Sequence, residues 1–440
     1  MTSPSAPYLQ AERANREMTL RWLIWSVLAL AYLIVLFHRM APGVVADRLM
    51  AQFEAGGAAV GILTSIYFWV YGVMQVPSGL LADSLGTRKT VSIGAALAGL
   101  GSLVFGLAPA LEMAYLGRFL VGLGVSVIFV ATLKFQASWF RPEQFGTLSG
   151  LLILVGNLGS VIATTPVALM AQSLGWRAPF LAIGAASCGV ALAAWCGVRD
   201  YPSWKSVAMA EAPRKHLSLR AGARIIWRDR QTRAGFLAHF GLLGSYLTFS
   251  ALWAVPYLMH VYGMDRAEAA NYLLVTSLGM IVSAPLAGHL SDRVLRQRKL
   301  PIVALGMLGS AVWLALTLWN AGQPAAWALY PLFAALGVSA GNVTLVLTSV
   351  KEANPPELSG LAMGAANAGF LCAALLQPAM GYLLDSRWLG EMLAGARVYP
   401  VGAYHLVFAV LTGVSLLGLL GAVLMKETHG RNVPLDRASS

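Results

Sequence analysis

Residues 79–89 read GLLADSLGTRK, and residues 288–299 read GHLSDRVLRQRK. Each is a short polar interruption between two long apolar runs. The glycine, the aspartate four places on and the basic cluster recur at an offset of 209. LGVS at 123–126 returns at 336–339, an offset of 213, and SGLLILVGNLG at 149–159 returns as SGLAMGAANAG at 359–369, an offset of 210. In that last pair Asn157 corresponds to Asn367. Gly, Leu and Ala are abundant here, so one match alone is weak. Three matches in the same order at nearly one offset indicate a duplicated unit.

Outward from these loops, apolar segments fill the 440 residues. The chain is 58% hydrophobic and 11% charged, where soluble domains carry about 25% charged residues. Spans are expected at 21–45, 58–81, 90–109, 113–135, 145–171, 177–198, 233–259, 267–288, 300–320, 325–350, 358–384 and 403–425. Most of these twelve come near the ~20 residues a membrane helix needs, and they lack the alternation of barrel strands. The first 19 residues are polar and hold no small-residue cleavage site, so the first segment is expected to remain as a span.

An even number of spans puts both termini on one side. That side holds 24 of the 31 Lys and Arg residues, nine of them in the 199–233 loop. Positive charge concentrates on the cytoplasmic side. The +12 net charge therefore marks orientation and not a nucleic-acid partner. The expected organisation is a cytoplasmic tail (1–20), a six-helix bundle (21–198), a basic cytoplasmic linker (199–232), a second bundle (233–425) and a cytoplasmic tail (426–440). The fold class is an all-α, multi-pass inner-membrane protein, a monomer with no cofactor or metal. Cys188, Cys196 and Cys372 lie in apolar segments without disulfide or metal spacing.

Twelve spans, a six-plus-six repeat and a Gly-x-x-x-Asp loop resemble the major facilitator superfamily over roughly residues 20–426. Its signature loop reads Gly-x-x-x-Asp-Arg-x-Gly-Arg-Arg/Lys. Gly79, Asp83, Gly86, Arg88 and Lys89 match it, Ser84 and Thr87 depart from it, and the second copy keeps Gly288, Asp292 and Arg293. The resemblance implies two pseudo-symmetric six-helix bundles and a gating role for this loop. There the acid pairs with an arginine and rests on a neighbouring helix N-terminus. The plainer reading is a surface ion pair worth under about 1 kcal/mol. GRFLVGLG at 117–124 also resembles a family element, with Arg118 as a coupling or charge-pair candidate and its glycines permitting close helix approach. Span five carries GNLGSVIATTP at 156–166 in place of the Gly-Pro-x-x-Gly-Gly element of drug–proton antiporters.

The first span, RWLIWSVLALAYLIVLFHRMAPGVVADRL at 21–49, is similar to that of the organophosphate–phosphate antiporters and wider organic-anion groups. The resemblance implies that Arg39 faces a central cavity and binds the substrate's anion. The second arginine of the phosphate antiporters is missing, since 234–262 holds no Lys or Arg, and Gln75 stands where a span-two lysine is expected. One arginine suits a carboxylate better than a doubly charged phosphate ester.

Polar groups within spans are costly and are functional candidates for that reason. The substrate-binding set is Arg39, His38, Tyr67, Tyr71, Gln75 and Asn157 from the first half. The second half adds Tyr246, Trp253, Tyr257, Asn342, Asn367 and Gln377. Aromatic residues at helical spacing also pack between helices or sit at the lipid interface, which is the competing reading for Trp253 and Tyr257. All 19 carboxylates lie in loops or near helix ends. Proton coupling would then fall to His38 or His239, with Lys134 a further cationic candidate. With no nucleotide-binding motif, the expectation is a secondary transporter for a small organic anion, coupled to a proton or counter-anion. Export of a drug or siderophore-like compound, and a transporter-like solute sensor, are the alternatives. No nucleophile, base or metal constellation suggests an enzyme.

Overall fold

A computed structural model describes residues 6–201, 226–354 and 358–429, so most of the linker and parts of both tails lie outside the described residues. Eleven helices are long and apolar enough to cross a membrane, or twelve when the bent pair Ala46–Gln52 and Gly57–Val73 counts as one span. Apart from a two-residue pair of strands, the described chain is helical. Lipid offers backbone groups no partners, so each span satisfies them internally. Large apolar side chains such as Leu100, Leu116, Leu192, Leu314 and Leu420 face outward, while Trp253, Trp313, Tyr67 and Phe249 are fully buried.

The first helix begins at Ala6, well before the expected 21, and ends at Val44. Spans two and three meet at the 79–89 loop, where Gly86 takes φ 80° and ψ 169° and separates two helices. A side chain at Gly86 would also meet the Asp200 carboxylate within 2.6 Å. Glycines let spans three and four touch, since a Cβ on Gly124 would stand 2.3 Å from the Gly94 carbonyl.

Helices expected to be continuous are interrupted within the spans. Span two breaks at Met74, span four at Val127, and span ten at Gly341. Span seven contains two π-helical segments, His239–Leu243 and Phe249–Trp253. Span eleven passes through a 3₁₀ turn at Ala368–Phe370. Irregular backbone within a membrane span occurs where it borders a cavity or buried protein.

The two halves are joined most firmly at the end of the bundle away from the chain termini, called here the far end. The Asp385 carboxylate, at the end of span eleven, accepts from the backbone N–H of Gly57 (2.9 Å) and Ala58 (2.8 Å) at the start of span two. Tyr399 donates its hydroxyl to Asp385 (2.7 Å) and accepts from the Gly57 N–H (2.8 Å). Arg397 pairs with Asp385 at 3.0 Å. Arg266 pairs with Asp47, and Thr165 donates to Asn271 at 2.7 Å. The backbones are close there: a Cβ on Gly43 would stand 2.4 Å from the Ala251 carbonyl.

The opposite, basic end is tied within each half. Arg88 donates its backbone N–H to Asp200 (2.8 Å) and its Nε to the Trp195 carbonyl (2.7 Å). In the second copy Asp292 pairs with Arg298 rather than with the neighbouring Arg293, which is exposed. Arg298 also holds Glu352 at 2.8 Å. Arg298 reaches both acids because the turn at Arg296, with φ 51°, folds it back over the helix end. The Asp83 side chain lies outside the described ones, and no side chain on Gly79 or Gly288 would be crowded. Lys89 is exposed.

Candidate functional site

A cavity of about 130 Å³ lies between the halves. Spans one, two, four and five line it from one half, and spans seven, eight, ten and eleven from the other. Arg39 enters it as the charged lining residue. Its guanidinium stands 4.7 Å from the Phe370 ring centroid and 5.5 Å from that of Tyr71. One ring belongs to span eleven and the other to span two, so the cation is held between faces from both halves. Such contacts stabilise a partly desolvated cation by about 2 kcal/mol. The guanidinium carbon lies over both rings, and its Nε has no partner among the described residues. A guanidinium can hold a carboxylate with two parallel hydrogen bonds.

Of the residues singled out from sequence, Arg39, Tyr71, Asn157, Tyr246 and Asn367 line this cavity. Asn157 and Asn367, the repeat-related pair, face it from spans five and eleven. Asn367 donates to the Gln75 side chain (3.1 Å) across the halves, which places Gln75 directly behind the lining. Tyr67 stacks on Tyr71 at 6.0 Å and donates to the Val35 carbonyl at 3.1 Å.

The others sit elsewhere. His38 is buried within its own half, on the side of the helix turned from the cavity. Arg118 is buried rather than extended to the membrane surface. It donates to the His38 carbonyl (3.1 Å) and lies 5.2 Å from the Tyr67 ring centroid. His239 packs edge-on against Phe370 at 5.5 Å, outside the lining. Both ring nitrogens of His38 and of His239 lack a partner among the described residues. Lys134 donates to the Ala82 carbonyl (2.6 Å) at the basic end. Trp253 and Tyr257 belong to the buried far-end aromatic cluster, where Tyr257 donates to the Gly322 carbonyl (2.8 Å). Asn342 is buried off the cavity, and Gln377 is buried against the Leu247 carbonyl at 3.5 Å. Neither pair lines the cavity.

Sequence reading passed over Tyr32, Phe129, Ser160, Ser277, Thr344 and Phe370. Two carried a usable signal. Tyr32 lies two helical turns before Arg39, and Phe370 one turn after Asn367, so each shares a face with a residue already chosen. Serines are too common within spans for Ser277 to stand out.

The family described as Major Facilitator Superfamily matches residues 28–378 and, in a second match, 236–439. The probable sulfoacetate transporter SauU of Cupriavidus necator is 26% identical over 417 residues, covering 90% of this chain and 95% of that one. The probable galactarate/D-glucarate transporter GudP of Bacillus subtilis is 24% identical over 447 residues, covering 94% and 95%. A bacterial homolog of the human lysosomal transporter Spinster, solved inward-facing and unoccupied, superposes with a TM-score of 0.69 at 16% identity. That match covers 94% of this chain and 99% of the other.

Proposed function

The chain belongs to the Major Facilitator Superfamily, and from that premise we propose that it is a secondary active transporter. It moves a small organic anion, a carboxylate rather than a phosphate ester, across the inner membrane by alternating access. The observation that carries this reading is the Arg39 guanidinium, the charged group lining the inter-half cavity, placed over the Tyr71 and Phe370 rings of the two halves. The relatives named for sulfoacetate and for galactarate or glucarate are both organic-anion transporters by name, which supports the substrate class.

The halves are assigned to 21–198 and 233–425, with both termini and the 199–232 linker in the cytoplasm. On that orientation the far end is periplasmic, and the cluster around Asp385 holds the periplasmic gate closed. Rocking of one half against the other would break that cluster and expose the site to the other side. Substrate arriving at Arg39 meets rings from both halves, so binding is sensed by each. The coupling species is a proton or a counter-anion, and His239, packed behind Phe370, is the candidate proton carrier.

Arg39→Lys tests the reading. Lysine keeps the charge and loses the fork. In proteoliposomes, Arg39→Lys is expected to retain folding and to weaken anion binding by about 1–3 kcal/mol, the range for a charge-assisted hydrogen bond. Transport at the wild-type rate and affinity would show that Arg39 does not bind the anion.

A further inference from the structure

We propose that the body of an anion held at Arg39 lies between spans five and eight, and that Asn157, Ser160 and Ser277 decide which bodies are accepted. This rests on the organic-anion reading above and deepens it. The repeat offset of 209 pairs Tyr71 and Gln75 of span two with Met280 and Ala284 of span eight. The offset of 210 pairs Asn367 and Phe370 of span eleven with Asn157 and Ser160 of span five. The duplicated unit therefore presents two seams to the cavity, one between spans two and eleven and one between spans five and eight. The two have diverged.

The first seam is closed. Tyr71 meets Phe370 edge-on at 5.4 Å, and Asn367 donates to Gln75 at 3.1 Å. A Cβ on Gly72 would stand 2.6 Å from the Leu371 side chain. At the second seam all four counterparts line the cavity, and no ring pair or hydrogen bond joins them among the described residues. Asn157 donates instead to the Ile153 carbonyl of its own helix (2.9 Å), and Ala284 stands where the first seam has Gln75. Arg39 lies over Tyr71 and Phe370, against the closed seam. The rest of a molecule docked on it extends toward the open one.

The open seam is polar where that body rests. Ile153, Asn157 and Ser160 share one face of span five, and Ser277, Met280 and Ala284 one face of span eight. Ser277 is 3% exposed, and its hydroxyl has no partner among the described residues. The hydroxyls of Ser160, Tyr32, Tyr71 and Tyr246 in the same lining have none there either. Gly156 seats the Tyr32 ring beside Asn157, since a Cβ on it would stand 2.4 Å from that ring. Enclosed hydroxyls left unpaired are costly. A carboxylate whose body carries hydroxyl groups satisfies them, and a plain alkyl body does not.

Gluconate and hexanoate have the same chain length and one carboxylate each, and differ in their hydroxyls. Binding is measured by calorimetry on the protein in lipid nanodiscs, with titration of empty nanodiscs subtracted. Gluconate is expected to bind tighter than hexanoate by roughly tenfold or more, since a site built to bond hydroxyls rejects the analogue lacking them. Ser160→Ala, Ser277→Ala and Asn157→Ala are each expected to narrow the gluconate-to-hexanoate ratio several-fold. Ala284→Phe, which fills the open seam, is expected to weaken both acids. Arg39→Gln is expected to abolish both, and the wild-type order with the serine variants decides the matter if the larger changes do not fold. Hexanoate binding as tightly as gluconate, or a ratio that the three alanine variants all leave in place, with binding still dependent on Arg39, would overturn the placement between spans five and eight. The organic-anion reading would then stand. Binding of neither acid, or binding indifferent to Arg39→Gln, would overturn both.

Discussion

At the scale of single residues, the arrangement around Arg39 is built from what a guanidinium tolerates. It is weakly hydrated, planar and always charged, so two aromatic faces from different spans replace its water at modest cost. Arg118, one span away, is buried as well but spends its donor on the His38 carbonyl, deep within its own half. Arg118 thus holds the helix on which Arg39 stands. His239 packs edge-on against the Phe370 ring that Arg39 lies over. An imidazolium there would face the guanidinium across Phe370, and a bound carboxylate removes that repulsion. Proton and anion would in this way enter together. His239→Gln is expected to abolish accumulation driven by a pH gradient while leaving counterflow exchange intact. Gradient-driven accumulation that survives in His239→Gln, in His38→Gln and in the double variant would exclude histidine as the carrier.

At the scale of elements, the first turn of span two has no cap of its own, and span eleven supplies one across the halves. Gly57 and Ala58 present two of the unpaired N–H groups that every helix start leaves, and Asp385 accepts from both. The short strands Met392–Leu393 and Ala396–Arg397 bring Arg397 back onto that carboxylate. Asp385→Asn removes the charge that favours a helix N-terminus, an effect of about 1–2 kcal/mol when partly buried. The far end should then open several-fold more often. Spin labels at Glu54 and Leu389, read by double electron–electron resonance, should show a second, longer distance, and an unchanged distribution would mean that the cap does not hold the halves together. At the basic end, Glu427 plays a comparable part within one half, accepting from the backbone N–H of Arg298 (2.7 Å) and Lys299 (2.9 Å). Partial burial opposes its ionisation, but the N–H groups of Arg298, His429 and Lys299 outweigh it and hold the carboxyl below the usual glutamate range. Its stabilising contribution is therefore complete above the ordinary glutamate value and lost as pH falls through the lowered one. Glu427→Gln should lower thermal stability at neutral pH and flatten the acid limb of the melting-temperature profile. An acid limb identical to wild type would contradict this.

At the scale of the whole molecule, the duplicated unit becomes two bundles that meet over the cavity, and the orientation proposed for them rests on the distribution of charge. Ser206→Cys, in the 199–232 linker, is expected to resist an impermeant maleimide in intact cells and to react after permeabilisation. Rapid labelling from outside would invert the topology. Arg39 was singled out through the likeness of its span to those of organic-anion transporters, and the chain's own pattern was enough for the number of spans, the repeat and the all-α membrane class. These properties are local, set by runs of apolar residues and by the cost of a charge in lipid. The repeat also led to Asn157 and Asn367 without any structure. What the tertiary structure alone decided is which groups meet. Phe370 covers Arg39, Ser277 stands unpaired in the wall, and Asn367 reaches Gln75 over a separation of 292 positions. Asp385 and Gly57 meet over 328. Contacts so remote depend on how twelve helices pack. Several of the decisive partners are backbone N–H and carbonyl groups, which every residue carries and which leave no mark in the order of side chains.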